Sequence, residues 1–567
     1  MRGFFQLHIS TVLGGGGQIS MVPLTFFLAL VSTCFGYGFN EQLPLSSTSP
    51  LQPRSRFEFH HPVKRVAVIG AGPAGLQAAA ALVEHKHRDG GPRFVVRLFE
   101  RAPGPGGNWF YTEETPVREA YPDKPIDEEE YIPPTHRLPF TKYYKDGEEG
   151  VSLEDRWTEH WQPRPVWHSL HTNSPAVITE LPDVPYPPDS PWVISNHQIQ
   201  RHVRAYASVH ALNVNDEAGA NVTSYSTRVE KLEKLQETQT WRLTLRKLEK
   251  VGEGKGRRVK ATWWTEDFDA VVIATGPYVA PHVPEIEGIV DWSHIKGEGG
   301  RWSIWHSQAY RRPERLAGKN ILIVGASVSA SEIARDISPF VKTVRASIRP
   351  HKNLHPFQLR SRLRFPDNAE FIPEIKQLLP LGAHDKGIHE GKIELIILAT
   401  GYRRENRFLP NTRSDGQPEK LHWTGHFIPD PTLAYTNVRP WTIGKHQSYA
   451  FAKVWEGTAH LPPQEEMQAD YDNGKYQFRG LFSSIQAETL ARQYVAWLNN
   501  ESLINGGRLV EPWPLQNREV FVYYSDVEWI QGYAKRSNFT DAEHLPASEW
   551  PTGSAAWNAI VYDDEGW

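Results

Sequence analysis

The sequence predicts an α/β fold with two Rossmann-like dinucleotide-binding modules, the second inserted into the first. An apolar strand pattern followed by a glycine turn and a helix start occurs twice, as "VAVIGAGPAGLQAAAALV" from Val66 and as "ILIVGASVSASEIA" from Ile321. The strand pattern "FDAVVIATG" returns later as "IELIILATGY", and each copy contains Ala-Thr-Gly. Two strand–turn–helix units, each with its own returning strand, indicate two nucleotide sites in one chain.

The predicted organisation follows from these repeats and from changes in composition along the chain. In order, we expect a signal peptide or N-terminal anchor (1–40), a linker (41–62), the first part of the first module (63–278), the inserted second module (279–392), the second part of the first module (393–515) and a C-terminal extension (516–567).

Composition excludes several classes of protein. The chain has 567 residues, a net charge of −4 and 39% hydrophobic residues, which is typical of a globular protein of two to four domains. Charges of both signs are dispersed, so nothing favours a nucleic-acid partner. Cys34 is the one cysteine in the sequence, which excludes an intrachain disulfide, a cysteine metal site and a disulfide reductase. No metal site is predicted.

The N-terminal segment is predicted to be a targeting element. Residues 3–40 contain no Asp, Glu, Lys or Arg, and "MVPLTFFLALVSTCFGYGF" is strongly apolar. This length fits a signal-peptide core, or a marginal membrane anchor through residues 21–38. We expect the secretory pathway or the endoplasmic reticulum membrane. The alternatives are an upstream extension to a chain that starts at Met21, or a mispredicted start, and the protein would be cytoplasmic if the segment is not a true leader.

The elements between the glycine turns follow from local patterns. "RFVVRLFE" predicts a second strand of the first module, and residues 103–191, rich in Pro, Trp and Tyr, predict loops and short elements. "SNHQIQRHVRAYASVH" predicts a helix with a Ser/Asn start, while "WRLTLRKL" and "KATWWT" alternate as antiparallel strands do. "NILIVG", "SASEIARDI" and "TVRASIR" predict strand, helix and strand of the second module, and "SSIQAETLARQYVAWLNN" a late helix.

The first glycine turn meets the physical requirements of an ADP site. Gly70 permits the tight turn, Gly72 lets backbone approach a pyrophosphate, and Gly75 lets the helix pack on the strand. Glu100 ends the next strand, where a carboxylate accepts ribose hydroxyls and repels a 2′-phosphate, which favours FAD or NAD over NADP. The following "GPGGNWFY" would bring the backbone at Gly107 close to the same cofactor, with Trp109 as a rigid wall.

The second turn differs in ways that favour NADPH. Gly325 still makes the turn and Ala330 is small enough for close helix packing, but Ser327 replaces the middle glycine. Ser327 or Ser329 can also cap the helix. The next strand ends without an acid, and a basic, hydroxyl-bearing set at alternate positions suits a 2′-phosphate: Arg345, Ser347 and Arg349. A resident flavin reduced by a visiting nicotinamide would explain one intact and one altered turn.

Taken together, these motifs resemble those of the flavin-containing monooxygenase family of class B flavoproteins, over roughly residues 64–515. The resemblance rests on the motifs GAGPAG (70–75), GGNW (106–109), LHTNSP (170–175), WHSQAYRRP (305–313) and LATGY (398–402). The family signature FxGxxxHxxxY/F is similar at His306 and Tyr310 and departs at Gly300 and Trp302. Ser327 and Glu332 depart from the family's second motif, GxGxSxxDI.

The resemblance implies a glutathione-reductase-like fold and two cofactors, FAD and NADPH. It places Asn173 beside the flavin as a neutral hydrogen-bond donor in catalysis. Together with the motifs, it implies cofactor contacts at Gly70, Gly72, Pro73, Ala74, Gly75, Glu100, Gly107, Asn108, Trp109, Thr172, Asn173, Ser174, Thr275, Gly276, His306, Gly325, Ser327, Ser329, Ala330, Ser331, Glu332, Arg349, Thr400 and Gly401.

The implied activity is an NADPH- and O2-dependent oxygenation of a soft nucleophile, N or S, of a small molecule through a flavin C4a-hydroperoxide. Two other activities remain open. The first is Baeyer–Villiger oxygenation of a ketone, although the tyrosine end of the signature favours the heteroatom oxygenases. The second is a nucleotide-binding flavoprotein with weak or uncoupled NADPH oxidase activity, which Ser327 and the altered signature would fit.

Overall fold

The structure is a computed structural model, and it describes residues 55–87, 89–117, 136–191, 193–213, 222–278, 280–295, 303–349, 361–362, 364–379, 393–403, 408–409, 419–436, 441–476 and 484–512. The predicted leader (1–40), most of the linker and the C-terminal extension (516–567) lie outside these residues and stay predictions. Within the described ranges, no helix combines the length and the apolar character that crossing a membrane requires.

The predicted strands and helices form in their predicted order, and further short elements lie between them. The strands are β1 (Arg65–Ile69), β2 (Val95–Phe99), β3 (Phe140–Tyr144), β4 (Thr223–Ser224), β5 (Thr227–Leu235), β6 (Thr240–Val251), β7 (Arg258–Phe268), β8 (Ala270–Ile273), β9 (Ala280–Pro281), β10 (Ile304–His306), β11 (Asn320–Val324), β12 (Thr343–Ser347), β13 (Ala369–Ile372), β14 (Leu395–Leu398), β15 (Tyr402–Arg403), β16 (Leu421–His422), β17 (His426–Phe427) and β18 (Leu433–Tyr435). The α-helices are α1 (Pro73–Glu84), α2 (Leu153–Trp161), α3 (Asn196–Val209), α4 (Ile289–Ser293), α5 (Val328–Ile337), α6 (Trp441–Glu456), α7 (Gln464–Asp472) and α8 (Ser484–Asn505).

A seven-stranded sheet forms the first module, in the order β16-β17-β18-β8-β1-β2-β4. Its strands from β18 to β4 run parallel, with Val66 of β1 opposite Val96 of β2 and Ala270 of β8. Residues 66–69 of β1 and the whole of β8 and β18 are apolar and buried, as parallel strands covered on both faces are. Helices α1, α3 and α6 contribute to the core on one face of this sheet, and α1 begins at the first glycine turn, which follows β1 at the sheet's carboxyl edge.

A five-stranded parallel sheet forms the second module, in the order β10-β14-β11-β12-β13. β14 lies beside β11 just as β8 lies beside β1 in the first sheet. The predicted boundary between residues 392 and 393 is therefore wrong, because β14 (Leu395–Leu398) belongs to the second module. The repeated Ala-Thr-Gly pattern marks the equivalent strand of each module, not a return to the first.

Two other features match their sequence patterns. An antiparallel sheet, β3-β7-β6-β5, contains the two alternating strands, and the Pro- and Trp-rich segment contributes β3 and α2. Helix α3 begins with a capping box, in which the Ser195 side chain accepts from the backbone N–H of Gln198 and the Gln198 side chain accepts from that of Ser195. The Ser/Asn start predicted from the sequence is confirmed.

Candidate cofactor and active site

The first glycine turn lies at the carboxyl edge of the seven-stranded sheet, where open α/β sheets bind ligands. Gly70 has a φ of 107°, and a Cβ there would lie 2.6 Å from the Ala274 carbonyl oxygen at the end of β8. A Cβ on Gly75 would overlap the carbonyl oxygen of Gly70 and lie 3.0 Å from the Ala274 Cβ. Both positions therefore require glycine for the turn and for the approach of α1 to the sheet.

Two glycine loops meet in front of the N-terminus of helix α1. A Cβ on Gly107 would lie 2.7 Å from the Gly72 Cα, and the backbone N–H of Gly106 donates to the Ala71 carbonyl at 3.0 Å. Pro73 occupies the first helical position, so the first backbone N–H donors within α1 are those of Ala74 and Gly75. This all-backbone cradle, which any side chain would fill, fits a pyrophosphate.

The other flavin-side residues surround this cradle. Asn108 and Trp109 lie in a 3-10 turn, Gly107–Trp109, and Trp109 packs against the hydrophobic core of the first module. Thr275 and Gly276 follow β8 at the same sheet edge, and Gly276 has a φ of 72° with open space around its Cα. The structure thus brings the predicted flavin-side motifs to one edge of one sheet.

Glu100 follows β2 as predicted, but it is more tightly held than the sequence indicated. Its side chain is buried and accepts hydrogen bonds from the backbone N–H of Ala71 at 2.7 Å and of Ala102 at 2.8 Å. The Arg164 guanidinium, also buried, donates to it at 3.0 Å. These bonds use three of about four lone-pair sites of the carboxylate, which leaves capacity for about one more donor such as a ribose hydroxyl. Arg164 was not predicted, because its surrounding sequence has no periodicity.

The second turn repeats the geometry of the first with one altered residue. Gly325 has a φ of 128°, and a Cβ there would overlap the carbonyl oxygen of Ala399, which follows β14 as Ala274 follows β8. Ala330 is fully buried, as the predicted close packing of α5 requires. The N-terminus of α5 therefore presents free backbone donors at an equivalent place beside the second sheet.

The serines of this turn have different roles. Ser327 is the N-cap residue of α5, but its side chain makes no capping hydrogen bond and is exposed. Ser329 is half-buried, and Ser331 is buried and donates to the carbonyls of Ser327 and Val328. Glu332 is paired with Arg364 and with Arg335. Ser327, which stands in place of the middle glycine of the motif, therefore has an exposed hydroxyl.

Two of the three residues predicted to bind a 2′-phosphate make contacts within the fold. Arg345 forms an ion pair with Glu370 at 2.7 Å, because the parallel neighbour β13 places that residue directly opposite. Ser347 is buried, donating to the Pro373 carbonyl and accepting from the backbone of Ile375. The Arg349 side chain is 73% exposed and lies 3.9 Å from Glu374. The three-residue prediction is therefore wrong for Arg345 and Ser347, and Arg349 is left as the accessible cation of the set.

Replacing Arg349 with alanine should raise the KM for NADPH by about 10-fold, as expected for one lost charge-assisted phosphate contact. The KM for NADH should change by less than about 2-fold, because NADH lacks the 2′-phosphate. Steady-state kinetics with both nucleotides measure this, with Arg257→Ala on an exposed turn as the control. Equal losses with NADPH and NADH would refute the assignment.

The loop with Thr172, Asn173 and Ser174 is anchored through its threonine. The Thr172 hydroxyl donates to the Ser174 carbonyl at 2.8 Å and accepts from the Ile194 backbone at 3.0 Å. Thr172 is buried, whereas Asn173 is half-buried, and among the residues that the structure describes its side-chain amide has no hydrogen-bond partner. The loop therefore holds a neutral donor group in place.

His306 and the Thr400-Gly401 turn form the junction between the modules. The Nδ1 of His306 accepts from the backbone N–H of Gln308 at 3.2 Å, so Nε2 carries the proton and donates to the Gly401 carbonyl at 3.0 Å. Burial lowers the pKa of His306 to about 4, and the ring is neutral at physiological pH. The Thr400 hydroxyl donates to the His282 carbonyl at 2.5 Å. The His306 and Thr400 side chains thus donate hydrogen bonds to backbone carbonyls of the protein. Gly300 and Trp302 of the altered signature lie outside the described residues.

Comparisons with known proteins agree with this geometry. The model of the flavin-binding monooxygenase-like family matches residues 156–352, and that of the NAD(P)-binding Rossmann-like domain matches residues 68–124. The flavin-containing monooxygenase iboF of Amanita muscaria is 32% identical over 510 residues, which cover 80% of this chain and 91% of the relative. The chain belongs to the flavin-containing monooxygenase family.

Two further proteins extend the comparison. The trimethylamine monooxygenase of Methylocella silvestris is 26% identical, over 74% of this chain and 80% of its own. The solved structure of S-allyl-L-cysteine S-oxygenase from Allium sativum is 20% identical with a TM-score of 0.54, over 89% of this chain and 99% of its own. At this sequence identity, the similarity to the Allium sativum structure shows a shared fold. The predicted α/β fold, the monooxygenase class and the two cofactors, FAD and NADPH, are confirmed.

Proposed function

We propose that this enzyme transfers one oxygen atom of O2 to a soft nitrogen or sulfur atom of a small molecule. The second oxygen atom leaves as water, and NADPH supplies the two electrons, so that NADPH, H⁺, O2 and substrate give NADP⁺, water and the oxygenated product. A bound flavin supplies the oxygen activation. The protein's own residues would bind the two nucleotides, orient the substrate and exclude water.

The observation that carries the proposal is the pair of glycine turns on separate sheets. Gly70 and Gly325 have nearly the same surroundings, each against the carbonyl of an alanine that follows a neighbouring parallel strand. Two such turns provide for a resident and a visiting nucleotide at once. Asn173 adds a neutral amide on a loop held by Thr172, which suits hydrogen bonding near the site of oxygen transfer without acid or base chemistry.

Two observations support a heteroatom substrate over a ketone. Tyr310 occupies the last position of the family signature, and tyrosine at that position resembles the heteroatom oxygenases. A trimethylamine monooxygenase is similar to this protein over 74% of the chain.

Within the described residues, no group of three or more His, Cys, Asp or Glu side chains could hold a metal ion.

A substrate panel tests the proposal. The flavin-loaded protein would be given NADPH with a tertiary amine, a thioether or a ketone, and NADPH, product and H2O2 would be quantified. We expect an N-oxide or a sulfoxide in near-stoichiometric amount to the NADPH consumed. An ester or lactone from the ketone would overturn the proposal in favour of Baeyer–Villiger chemistry, and recovery of all NADPH electrons as H2O2 would show an uncoupled oxidase.

Replacing Asn173 with aspartate should separate reduction from oxygen transfer. The variant exchanges a neutral donor for an acceptor of similar size, so we expect about 10-fold less product per NADPH and correspondingly more H2O2. Reduction of the flavin by NADPH under anaerobic conditions should stay within about 2-fold of wild type. Asn473→Asp is the control, because it makes the same exchange of amide for carboxylate at an exposed residue that follows helix α7. Unchanged product yield in the Asn173→Asp variant would remove Asn173 from the site.

A further inference from the structure

The loop with Asn173 belongs to a segment whose two ends lie in different hydrophobic cores. Trp167 is 5% exposed and packs in the core of the second module, where its ring meets that of Tyr310 edge-on at 5.8 Å. Ile178 is buried in the core of the first module. The position of Asn173 between these ends therefore depends on how both modules hold the segment.

On the first-module side, the segment is fixed to the beginning of helix α3. Asn196, fully buried, donates its side-chain amide to the carbonyls of Trp167 at 2.5 Å and of His168 at 2.9 Å. The backbone of Thr172 is paired with that of Ile194 at 2.8 Å. These contacts tie the loop to the element that packs on the flavin-side helix α1.

On the second-module side, one carboxylate oxygen accepts from the segment, beside the packing of Trp167 and a hydrogen bond from the backbone N–H of His168 to the Arg311 carbonyl at 3.0 Å. The Oδ2 atom of Asp336, on helix α5, accepts hydrogen bonds from the Ser169 hydroxyl at 2.6 Å and from the Tyr310 hydroxyl at 2.5 Å. Burial and the nearby carboxylate raise the pKa of Tyr310, so its hydroxyl stays a donor at physiological pH. Hydrogen bonds to an ionised acceptor are the stronger kind.

These contacts join three parts of the proposed site. Helix α5 begins at the second glycine turn and would receive the nicotinamide nucleotide at its N-terminus. Ser169 is four residues from Asn173, and Tyr310 lies between strands β10 and β11, with its ring against Trp167 of the Asn173 segment. We propose that Asp336 is a positioning residue, which fixes the nucleotide-binding helix relative to the Asn173 loop and so sets the distance between nicotinamide and flavin. The inference rests on the proposed function for the place of Asn173.

Three variants remove the contacts in different ways. Tyr310→Phe deletes one donor and keeps the ring, Ser169→Ala deletes the other donor, and Asp336→Asn keeps the shape and removes the charge. Tyr225→Phe is the matched control, because the Tyr225 hydroxyl is also buried and donates to the Leu212 carbonyl within the first module. The flavin-loaded proteins would be mixed anaerobically with saturating NADPH in a stopped-flow instrument, and NADP⁺ affinity would be measured from the flavin difference spectrum.

We expect Asp336→Asn to slow flavin reduction about 10-fold, since small misplacements of reacting groups cost rate steeply. Tyr310→Phe should slow flavin reduction by a smaller factor. The double variant Tyr310→Phe/Asp336→Asn should be no slower than Asp336→Asn alone. In all of these variants the dissociation constant of NADP⁺ should change by less than about 2-fold. A merely structural role would lower the melting temperature and leave the reduction rate per bound flavin unchanged.

Wild-type reduction rates in both Tyr310→Phe and Asp336→Asn would overturn the inference, and so would a loss of NADP⁺ affinity that accounts for the whole rate effect. Tyr310→Phe keeps the test decisive if Asp336→Asn fails to fold. The readout does not need an oxygenated product, so a wild-type protein that is reduced by NADPH but makes no N-oxide or sulfoxide would refute the proposed function and still decide the role of Asp336.

Discussion

Replacing Gly75 with alanine should give a protein that purifies without bound flavin. The added Cβ would overlap the carbonyl oxygen of Gly70 and lie 3.0 Å from the Ala274 Cβ. Because one of these neighbours is backbone in the turn itself, the clash cannot be relieved by rotating a side chain. Helix α1 would have to move off the sheet, and the backbone N–H groups of Ala74 and Gly75 would leave the cradle.

The ratio of flavin absorbance to protein absorbance measures this effect. Gly147→Ala is the matched control, since Gly147 has a φ of 72° but open space around it. That change should cost only about 1–2 kcal/mol of left-handed backbone strain and leave the flavin bound. Full flavin occupancy in Gly75→Ala would show that the first turn is not the FAD site.

Replacing Gly325 with alanine should give the complementary result, a yellow protein that NADPH reduces at least about 100-fold more slowly. The residue has a φ of 128°, and its Cβ would overlap the Ala399 carbonyl oxygen, so strain and overlap act together on the second turn. The first turn lies in a different sheet and should keep its flavin.

Anaerobic stopped-flow absorbance at the flavin band measures the reduction rate. Chemical reduction by dithionite should remain at the wild-type rate and shows that the flavin itself is intact and accessible. NADPH reduction within about 2-fold of wild type would mean that the second turn does not bind the nicotinamide nucleotide. With Gly75→Ala, this variant assigns one nucleotide to each module.

The sequence was sufficient for the parts of the fold that local patterns specify. The strand–turn–helix units at Gly70 and Gly325, the Ser/Asn helix start at Ser195 and the echo of β8 in β14 were all visible as short patterns. The echo was nevertheless misassigned at the domain boundary. The pairing of β14 with β11 is a contact between residues about 70 positions apart, which no window of sequence reveals.

The site was predictable where backbone does the binding and less so where side chains pair over long distances. Arg345 stands at a strand end as predicted, but the unpredicted strand β13 brings Glu370 opposite and uses that charge. Asp336, the acceptor for Ser169 and Tyr310, lies in the predicted helix "SASEIARDI", and no local pattern indicates its two partners. Such partners depend on the tertiary fold.

The central claim, that the two modules hold two different nucleotides at once, is tested most directly by titrating the purified yellow protein with NADP⁺ in a calorimeter and then passing it through a desalting filter. The account predicts that one NADP⁺ binds per chain while one FAD per chain stays with the protein. Release of FAD into the filtrate in proportion to the NADP⁺ bound would contradict it, because the two nucleotides would then share one site.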